Sequence, residues 1–234
     1  MSNFSGHITL KPTTVTLNGR TILTDVLFKA SAGEVHCVIG PNGSGKSTLL
    51  RVLAGDIPVD DLTYANFEVK TLNTAQRAKY RSVMRANVRP DFSYSVSDVV
   101  SWSLLANSAS SLGPGATRDR VLDALTQAGI ADLADRPVTQ LSTGQLTRVN
   151  IASVLLQNAS IILADEPEAA LDPVARIEAW QLLTSGPATA VIATHSLDLV
   201  LEFATHVTPI KDGRILYSRP IGDLNMNELK SVYL

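Results

Sequence analysis

Cysteine is almost missing from this chain. Cys37 is the only one, which excludes an intrachain disulfide and a cysteine-rich metal centre. Its place in an apolar run predicts a buried, inert thiol. An excess of charge of one sign is missing too. Lys and Arg number 20 against 22 Asp and Glu, a net −2, so no nucleic-acid partner is expected and wholesale binding to an anionic surface is disfavoured. No apolar stretch approaches the ~18 residues of a membrane span. Met1–His7 has no charged segment leading into an apolar one, so no secretory signal is expected. Internal repeats and low-complexity tails are absent. These absences predict a cytosolic chain, or one held at a membrane only through a partner.

What is present is an ordinary globular balance: 234 residues, 45% hydrophobic and 18% charged. That suffices for one large domain or two small ones. A mean hydropathy of +0.13 leans apolar and leaves room for a covered partner surface. The most informative segment is Gly40-Pro-Asn-Gly-Ser-Gly-Lys-Ser-Thr48, directly after the apolar Val38-Ile39. This is G-x-x-x-x-G-K-[ST] with a strand before it and a helix after it. Gly40, Gly43 and Gly45 let the backbone, Asn42 included, wrap a phosphate chain with its N–H groups inward. Lys46 adds a point charge toward the β- and γ-phosphates, and the Ser47 hydroxyl, followed by Thr48, can sit on Mg²⁺. The helix beginning near Gly45 turns its positive end to the same anion. The plainer alternative is a Gly-rich turn that only joins strand to helix.

Around this loop the chain reads as β/α structure interrupted by helices. Ile8–Leu10, Val15–Leu17 and Val26–Lys29 are short strand-like pieces with a turn at Asn18-Gly19. Glu34–Ile39 is a buried strand, Ser47–Ala54 a helix, 60–72 β-like, and Thr74–Tyr80 a short polar helix. Helical periodicity dominates 96–157: Val96–Leu105, a Ser/Gly/Pro-rich loop over Ser108–Thr117, then Arg118–Ala128 and a connection over 129–140. Ile161–Ala164 and Ala190–Ala193 are apolar strands followed by helices. Val207–Lys211 and Gly213–Tyr217 form a hairpin around Asp212-Gly213.

Three further segments carry chemistry. Ile161–Ala164 ends in Asp165-Glu166. Asp165 at such a strand end can hold Mg²⁺ through water, and Glu166 can polarise an attacking water. Solvated acids beside Pro167 are the alternative. His195 follows another strand, where an imidazole can reach a γ-phosphate oxygen or orient the water; a lone His there is otherwise structural. Leu141-Ser142-Thr143-Gly144-Gln145 opens an apolar-periodic helix, and its amides form a second anion site or an ordinary Ser-capped start. One chain with one phosphate loop and a second anion site invites a second chain.

In order and spacing, these segments resemble the ATP-binding subunit of ATP-binding cassette transporters. Gly40–Thr48 matches the Walker A loop, Leu141–Gln145 the signature motif, Ile161–Glu166 Walker B with its catalytic Glu, Asp172 in Ala170-Leu171-Asp172 the D-loop, and His195 the switch histidine. The resemblance covers nearly the whole chain. It implies an α/β fold: a P-loop NTPase (RecA-like) core over 1–88 and 158–234, with an N-terminal antiparallel β subdomain, and a helical subdomain over about 89–157. It implies ATP and Mg²⁺ as ligands, with Ser47 and Asp165 toward the metal. It further implies a head-to-tail dimer with a second ATP-binding subunit. Each ATP would lie between one chain's Walker loops and Ser142, Thr143, Gly144 and Gln145 of the other. Membrane permease subunits would hold the dimer at the inner face of the cell membrane. Leu50–Asp56, Phe92–Val100 and Glu228–Tyr233 look like importers of haem, iron–siderophore or cobalamin type, which would add a substrate-binding protein.

The chain departs from the family in places. Alignment puts Ala86 where a Gln is expected, and no Gln lies between 77 and 126. Thr143 replaces the first Gly of the signature pair, at a cost of about 1–2 kcal/mol if a Gly-like conformation is needed there. Leu17 falls where an aromatic residue stacks on adenine, and Glu168 where Thr is common, which reads as a tolerated exchange. The basic residues Lys79, Arg81, Arg85 and Arg89 form either a permease-docking patch or a solvated face. The expected function is an ATPase subunit powering import, slow without its membrane partner. An ATP-sensing cassette with little hydrolysis and an exporter subunit are the alternatives. ATPases of chromosome or DNA repair need long coiled-coil arms, for which the chain has no room. Related translation factors carry two cassettes, and this chain has one.

Overall fold

The computed structural model describes residues 6–85, 93–106 and 114–234. Strands β1 (Ile8–Leu17) and β2 (Arg20–Ala30) pair antiparallel. The turn Asn18-Gly19 has φ of 49° and 76°, the left-handed turn that suits strand twist. The sequence read these strands as short pieces. Their register shifts between Leu10 and Thr13 and again before Val15, so the alternation breaks although the strands continue. After β3 (Val35–Ile39) and helix α1 (Lys46–Leu53) come β4 (Leu62–Tyr64) and β5 (Phe67–Glu68). They complete an antiparallel sheet ordered β2-β1-β4-β5. The β-like stretch 60–72 is therefore two short strands and a 3-10 turn, Val69–Thr71.

Helix α2 (Thr74–Tyr80) starts on a capping box, Asn73 with Gln76, and leads into β6 (Arg81–Met84). Then come α3 (Val96–Ser101), α4 (Pro114–Gln127) and α5 (Thr143–Gln157). α4 begins at Pro114, inside the stretch expected to be loop, because Pro suits the first turn of a helix. α3 ends at Ser101 and gives way to a 3-10 turn, Trp102–Ala106, so the predicted helix to Leu105 is shorter than its periodicity implied. The chain closes with β7 (Ile161–Asp165), α6 (Pro173–Thr184), β8 (Thr189–Ala193), α7 (Leu197–Phe203), β9 (His206–Lys211), β10 (Arg214–Ile215), β11 (Arg219–Pro220) and α8 (Met226–Ser231).

Among the described residues the second sheet runs β10-β9-β3-β8-β7-β6, with β11 also on β9. β9, β3, β8, β7 and β6 are mutually parallel. Strands covered on both faces read as continuous apolar runs, and β3 and β8 are buried throughout. β6 escaped the sequence reading because Arg81-Ser82-Val83-Met84 is no such run; β7 recruits it at the sheet edge.

Among the described residues three clusters fill the interior. One lies between the antiparallel sheet and the parallel sheet around α1, with Phe28, Leu49, Leu53, Tyr64 and Leu163. A second covers the opposite face with Cys37, Ile39, Trp180, Ile192 and Leu229. The third belongs to α3, α4 and α5, with Val96, Val100, Leu125 and Ala152. α5 serves two of them: Ile151 and Val154 face the second cluster, Val149 and Leu156 the third. Burial pushes the Cys37 thiol well up, the inert state its position predicted.

Candidate functional site

β3 delivers the glycine loop at the carboxyl edge of the parallel sheet, the usual ligand edge of such sheets. Gly40 has φ of 152°, and a Cβ there would lie 2.0 Å from the Ile210 carbonyl oxygen. Both conformation and space demand glycine. Gly43 differs: φ is 76°, yet a Cβ would meet nothing within 4 Å. Only the backbone conformation requires it. The loop is tied to the hairpin turn by Gly213 N–H donating to Ser44 O, 3.0 Å, while Thr24 N–H donates to Gly213 O, 2.8 Å. Ser44 Oγ is buried with no partner among the described residues. Asn42 and Gly43 are exposed at the tip, with Ser47 exposed and Thr48 half-buried at the start of α1.

Lys46 is buried and donates to the carbonyls of Gly40, 2.8 Å, and Pro41, 3.0 Å. Burial lowers its pKa, opposed by Glu166 and Asp165. Asp165 closes β7. Burial raises its pKa, a hydrogen bond with Ser47 lowers it, and Glu166 raises it again. Ser47 and Asp165 thus meet across α1 and β7, two hard oxygen donors of the kind Mg²⁺ prefers.

Glu166 sits at φ 49°, a left-handed conformation that costs a non-glycine residue about 1–3 kcal/mol. Its N–H donates to Ala193 O, 2.9 Å, which fixes the turn against β8. The strained turn brings Glu166 Oε1 to 3.1 Å from His195 Nε2, with the side chains 38% and 35% exposed. The contact has ion-pair distance without forming a hydrogen bond, and Nε2 makes no other among the described residues. The loop, Asp165, Glu166 and His195 are therefore one cluster, although 155 residues separate Gly40 from His195 in the chain.

Ser142–Gln145 lie at the start of α5. Ser142 Oγ accepts from Gln145 N–H, 3.2 Å, and Gln145 Oε1 accepts from Ser142 N–H, 2.9 Å, a reciprocal capping box. Thr143 occupies the first helical position. Its backbone is not among those with positive φ, so the penalty expected for Thr in a Gly-like conformation does not arise. Crowding falls instead on Gly144, where a Cβ would lie 2.9 Å from the Ala170 carbonyl oxygen. Asp172 caps α6: its Oδ1 accepts from Val174 N–H, 3.0 Å, and Ala175 N–H, 2.9 Å. The Ala175 bond comes first among the causes that hold its pKa low.

Leu17 ends β1 and packs partly against the first core cluster. Of the basic residues, Arg81 donates to Ala54 O, 2.7 Å, and Arg85 pairs with Asp56 at 2.7 Å. Both bind the end of α1, which favours the structural reading for them. Ala86, Arg89 and Phe92 lie outside the described residues. Two neighbours of the cluster had no distinct sequence signal. Tyr233 places its ring 6.2 Å from that of His195, and its hydroxyl accepts from Gly40 N–H, 3.3 Å; burial raises its pKa. Glu168, read from sequence as merely tolerated, binds both Thr194 and Ser196 beside His195.

The profile of the ABC transporter family matches residues 23–169. The phosphonates import ATP-binding protein PhnC of Caulobacter vibrioides is 33% identical over 97% of this chain and 92% of its own length. The hemin import ATP-binding protein HmuV of Thermobifida fusca is 36% identical over 92% of this chain and 77% of its own. Among solved structures, the dimeric ATP-binding cassette MJ0796 in a post-hydrolysis state with ADP and phosphate superposes with a TM-score of 0.82. It is 27% identical and covers 92% of this chain and 98% of its own. CbiO1 of Clostridium perfringens, part of the complex cbiONQ, gives 0.77 at 28% identity over 92% of this chain and 89% of its own.

Proposed function

The chain belongs to the ATP-binding subunits of the ABC transporter family, whose ATP hydrolysis is coupled to transport, and from that premise we propose how its own residues do this. The observation that carries the reading is the Glu166–His195 pair, 3.1 Å apart, beside a glycine loop whose Lys46 feels both Asp165 and Glu166. ATP lies with its phosphates along Asn42–Thr48. The loop fits: a glycine that no Cβ can replace at residue 40 and an orphaned Ser44 hydroxyl inside it. Lys46 exchanges its two carbonyl bonds for phosphate oxygens. Ser47 and Asp165 would hold Mg²⁺, which neutralises charge on the β- and γ-phosphates when bound.

Water attacks the γ-phosphorus and its proton passes to Glu166. The bond to the β-phosphate oxygen breaks, and ADP leaves with the electron pair. His195 donates to a γ-phosphate oxygen as charge develops there. A second ATP-binding subunit supplies Ser142–Gln145 across the nucleotide, with Asp172 at the same seam; the dimeric state of a close structural neighbour supports this. Leu17 lies toward the adenine. Residues 1–88 and 158–234 hold the nucleotide, and about 89–157 form the arm.

Membrane permease subunits anchor the dimer at the inner face, a reading supported by the import ATP-binding relatives; among the described residues no helix is long and apolar enough to cross a membrane. Exposed Tyr94 and Trp102, stacked edge-on at 5.0 Å, are apolar surface suited to that contact. The direction is import, supported by the PhnC and HmuV relatives, with a substrate-binding protein delivering a haem, iron–siderophore or cobalamin-type cargo. ATP turnover of the purified chain, alone and with a co-purified membrane partner, tests the coupling. Slow turnover alone and a clear rise in the complex are expected; fast turnover alone would overturn it. Uptake of haem, iron–siderophore and cobalamin against phosphonate by the reconstituted complex tests the cargo, and uptake of phosphonate alone would overturn that cargo class.

A further inference from the structure

Glu168 is the hub of a hydrogen-bond set that surrounds the loop carrying His195. Its Oε1 accepts from the Thr194 hydroxyl and from Ser196 Oγ, 3.2 Å. Its other oxygen, Oε2, accepts from Trp180 Nε1, 3.2 Å. Thr194 Oγ1 in turn accepts from Ser196 N–H, 2.9 Å. Thr194 and Trp180 are fully buried, and Thr194 N–H donates to Val38 O, 3.1 Å. One carboxylate thus grips the residues on either side of His195 and ties them to α6.

Among the described residues the carboxylate makes no hydrogen bond to the His195 ring. We infer that Glu168 is a positioning residue: by holding Thr194 and Ser196 it fixes the His195 imidazole in line with Glu166. A Glu is suited to this because an ionised carboxylate offers up to four acceptor sites and no donor. All three neighbours are donors, and bonds of this charge-assisted type are stronger than neutral ones. Trp180, locked in the second core cluster, supplies the rigid end. His195 would otherwise rest on the Glu166 contact, which is not a hydrogen bond, and on the Tyr233 ring.

The inference rests on His195 acting in hydrolysis, and the experiment separates the two claims. Full-length protein labelled with ¹³C-histidine gives C2–H resonances for His7, His36, His195 and His206, with His195 assigned by its loss in His195→Ala. In Glu168→Ala the His195 resonance should shift or broaden while that of His36 stays. Single-turnover hydrolysis at saturating MgATP should fall ten- to a hundredfold, the order expected when a catalytic group is misplaced. Apparent MgATP affinity should change less than about twofold, since the phosphate loop is untouched. Glu168→Gln keeps the acceptor for both hydroxyls but sets its amide N–H against that of Trp180, so it is made together with Trp180→Phe; the double variant should restore the resonance and most of the rate. Trp180→Phe alone removes the anchoring donor and should move the resonance less than Glu168→Ala does, because both hydroxyl bonds remain.

If Glu168→Ala does not fold, Thr194→Val combined with Ser196→Ala removes the same bonds from the other side. An unmoved His195 resonance in whichever of these folds overturns the inference. So does a rate loss that Glu168→Gln combined with Trp180→Phe fails to restore. A moved resonance together with normal hydrolysis by His195→Ala would uphold the positioning and remove His195 from the mechanism.

Discussion

Gly144→Ala is the substitution for which local propensity and packing pull hardest against each other. At the second position of α5, Ala is favoured over Gly by up to ~1 kcal/mol on helix propensity alone. The added methyl, however, would lie 2.9 Å from the Ala170 carbonyl oxygen, closer than stable carbon–oxygen contacts. One side must move. The turn at Ala170 has little freedom to do so, because its φ is 63°, already a left-handed conformation for a residue with a Cβ. Overpacking of this kind costs about 1–3 kcal/mol. The net expectation is a loss of ~0–2 kcal/mol, read as a lower urea midpoint at unchanged slope.

Thr143→Gly is the control. It restores the usual signature residue at a position without positive φ and should cost at least the few tenths of a kcal/mol of the Thr–Gly propensity difference. Because the Ala170 turn leads to the Asp172 cap, Gly144→Ala should also lower ATP turnover, by roughly tenfold for each 1.4 kcal/mol of strain that closure must carry. Adding Ala170→Gly lets the turn relax and should recover part of both losses. If Gly144→Ala raised stability by a full ~1 kcal/mol with turnover intact, the crowding would not exist in solution and the reasoning would fail.

Two other expectations follow from the site and the core. Glu166→Gln should reduce ATP hydrolysis at least a hundredfold while MgATP shifts the chain to a dimer on gel filtration; wild-type turnover would remove Glu166 as the base. Acid should destabilise the fold through His36. Burial comes first in lowering its pKa, partly offset by Glu34, with stacked His206 lowering it further. Between the folded value and the unfolded ~6.5 only the unfolded chain binds the proton, so stability is present above about pH 6.5 and falls as pH drops below it. Each unit of separation is worth on the order of 1.4 kcal/mol. Glu34, which burial would raise but the Ser31 amide and His36 hold low, adds a further loss as pH falls through the carboxylate range. His36→Gln should flatten the first step in urea midpoints taken from pH 8 to 5; an unchanged pH profile would contradict it.

The phosphate loop was readable because its requirements are contiguous: an apolar strand, residues that tolerate positive φ, a lysine and a hydroxyl within nine positions. β7 and β8 were equally plain, since Ile161–Ala164 and Ala190–Ala193 are unbroken apolar runs. What stayed hidden depends on partners distant in sequence. Nothing local marks Tyr233 as a neighbour of Gly40, 193 positions away. β6 carries charge and takes its conformation from β7. Glu168 looked like a tolerated exchange because three separate donors give it meaning only in the folded chain. At Thr143 sequence reasoning placed strain one residue too early, since a missing glycine is visible in a string of letters and a crowded retained one is not.

α5 has a mechanical meaning beyond its capped start. Because its Ile151 and Val154 lie in one cluster and its Val149 and Leu156 in another, the arm and the sheet share a single rod. A push delivered at the arm reaches the β7 edge through a continuous backbone rather than across a slippable joint. The arm also cannot melt by itself, since freeing α5 would expose apolar surface of the sheet as well. Along this helix the two parts of the molecule form one cooperative unit, stiff enough for a load applied at either end to be felt at the other.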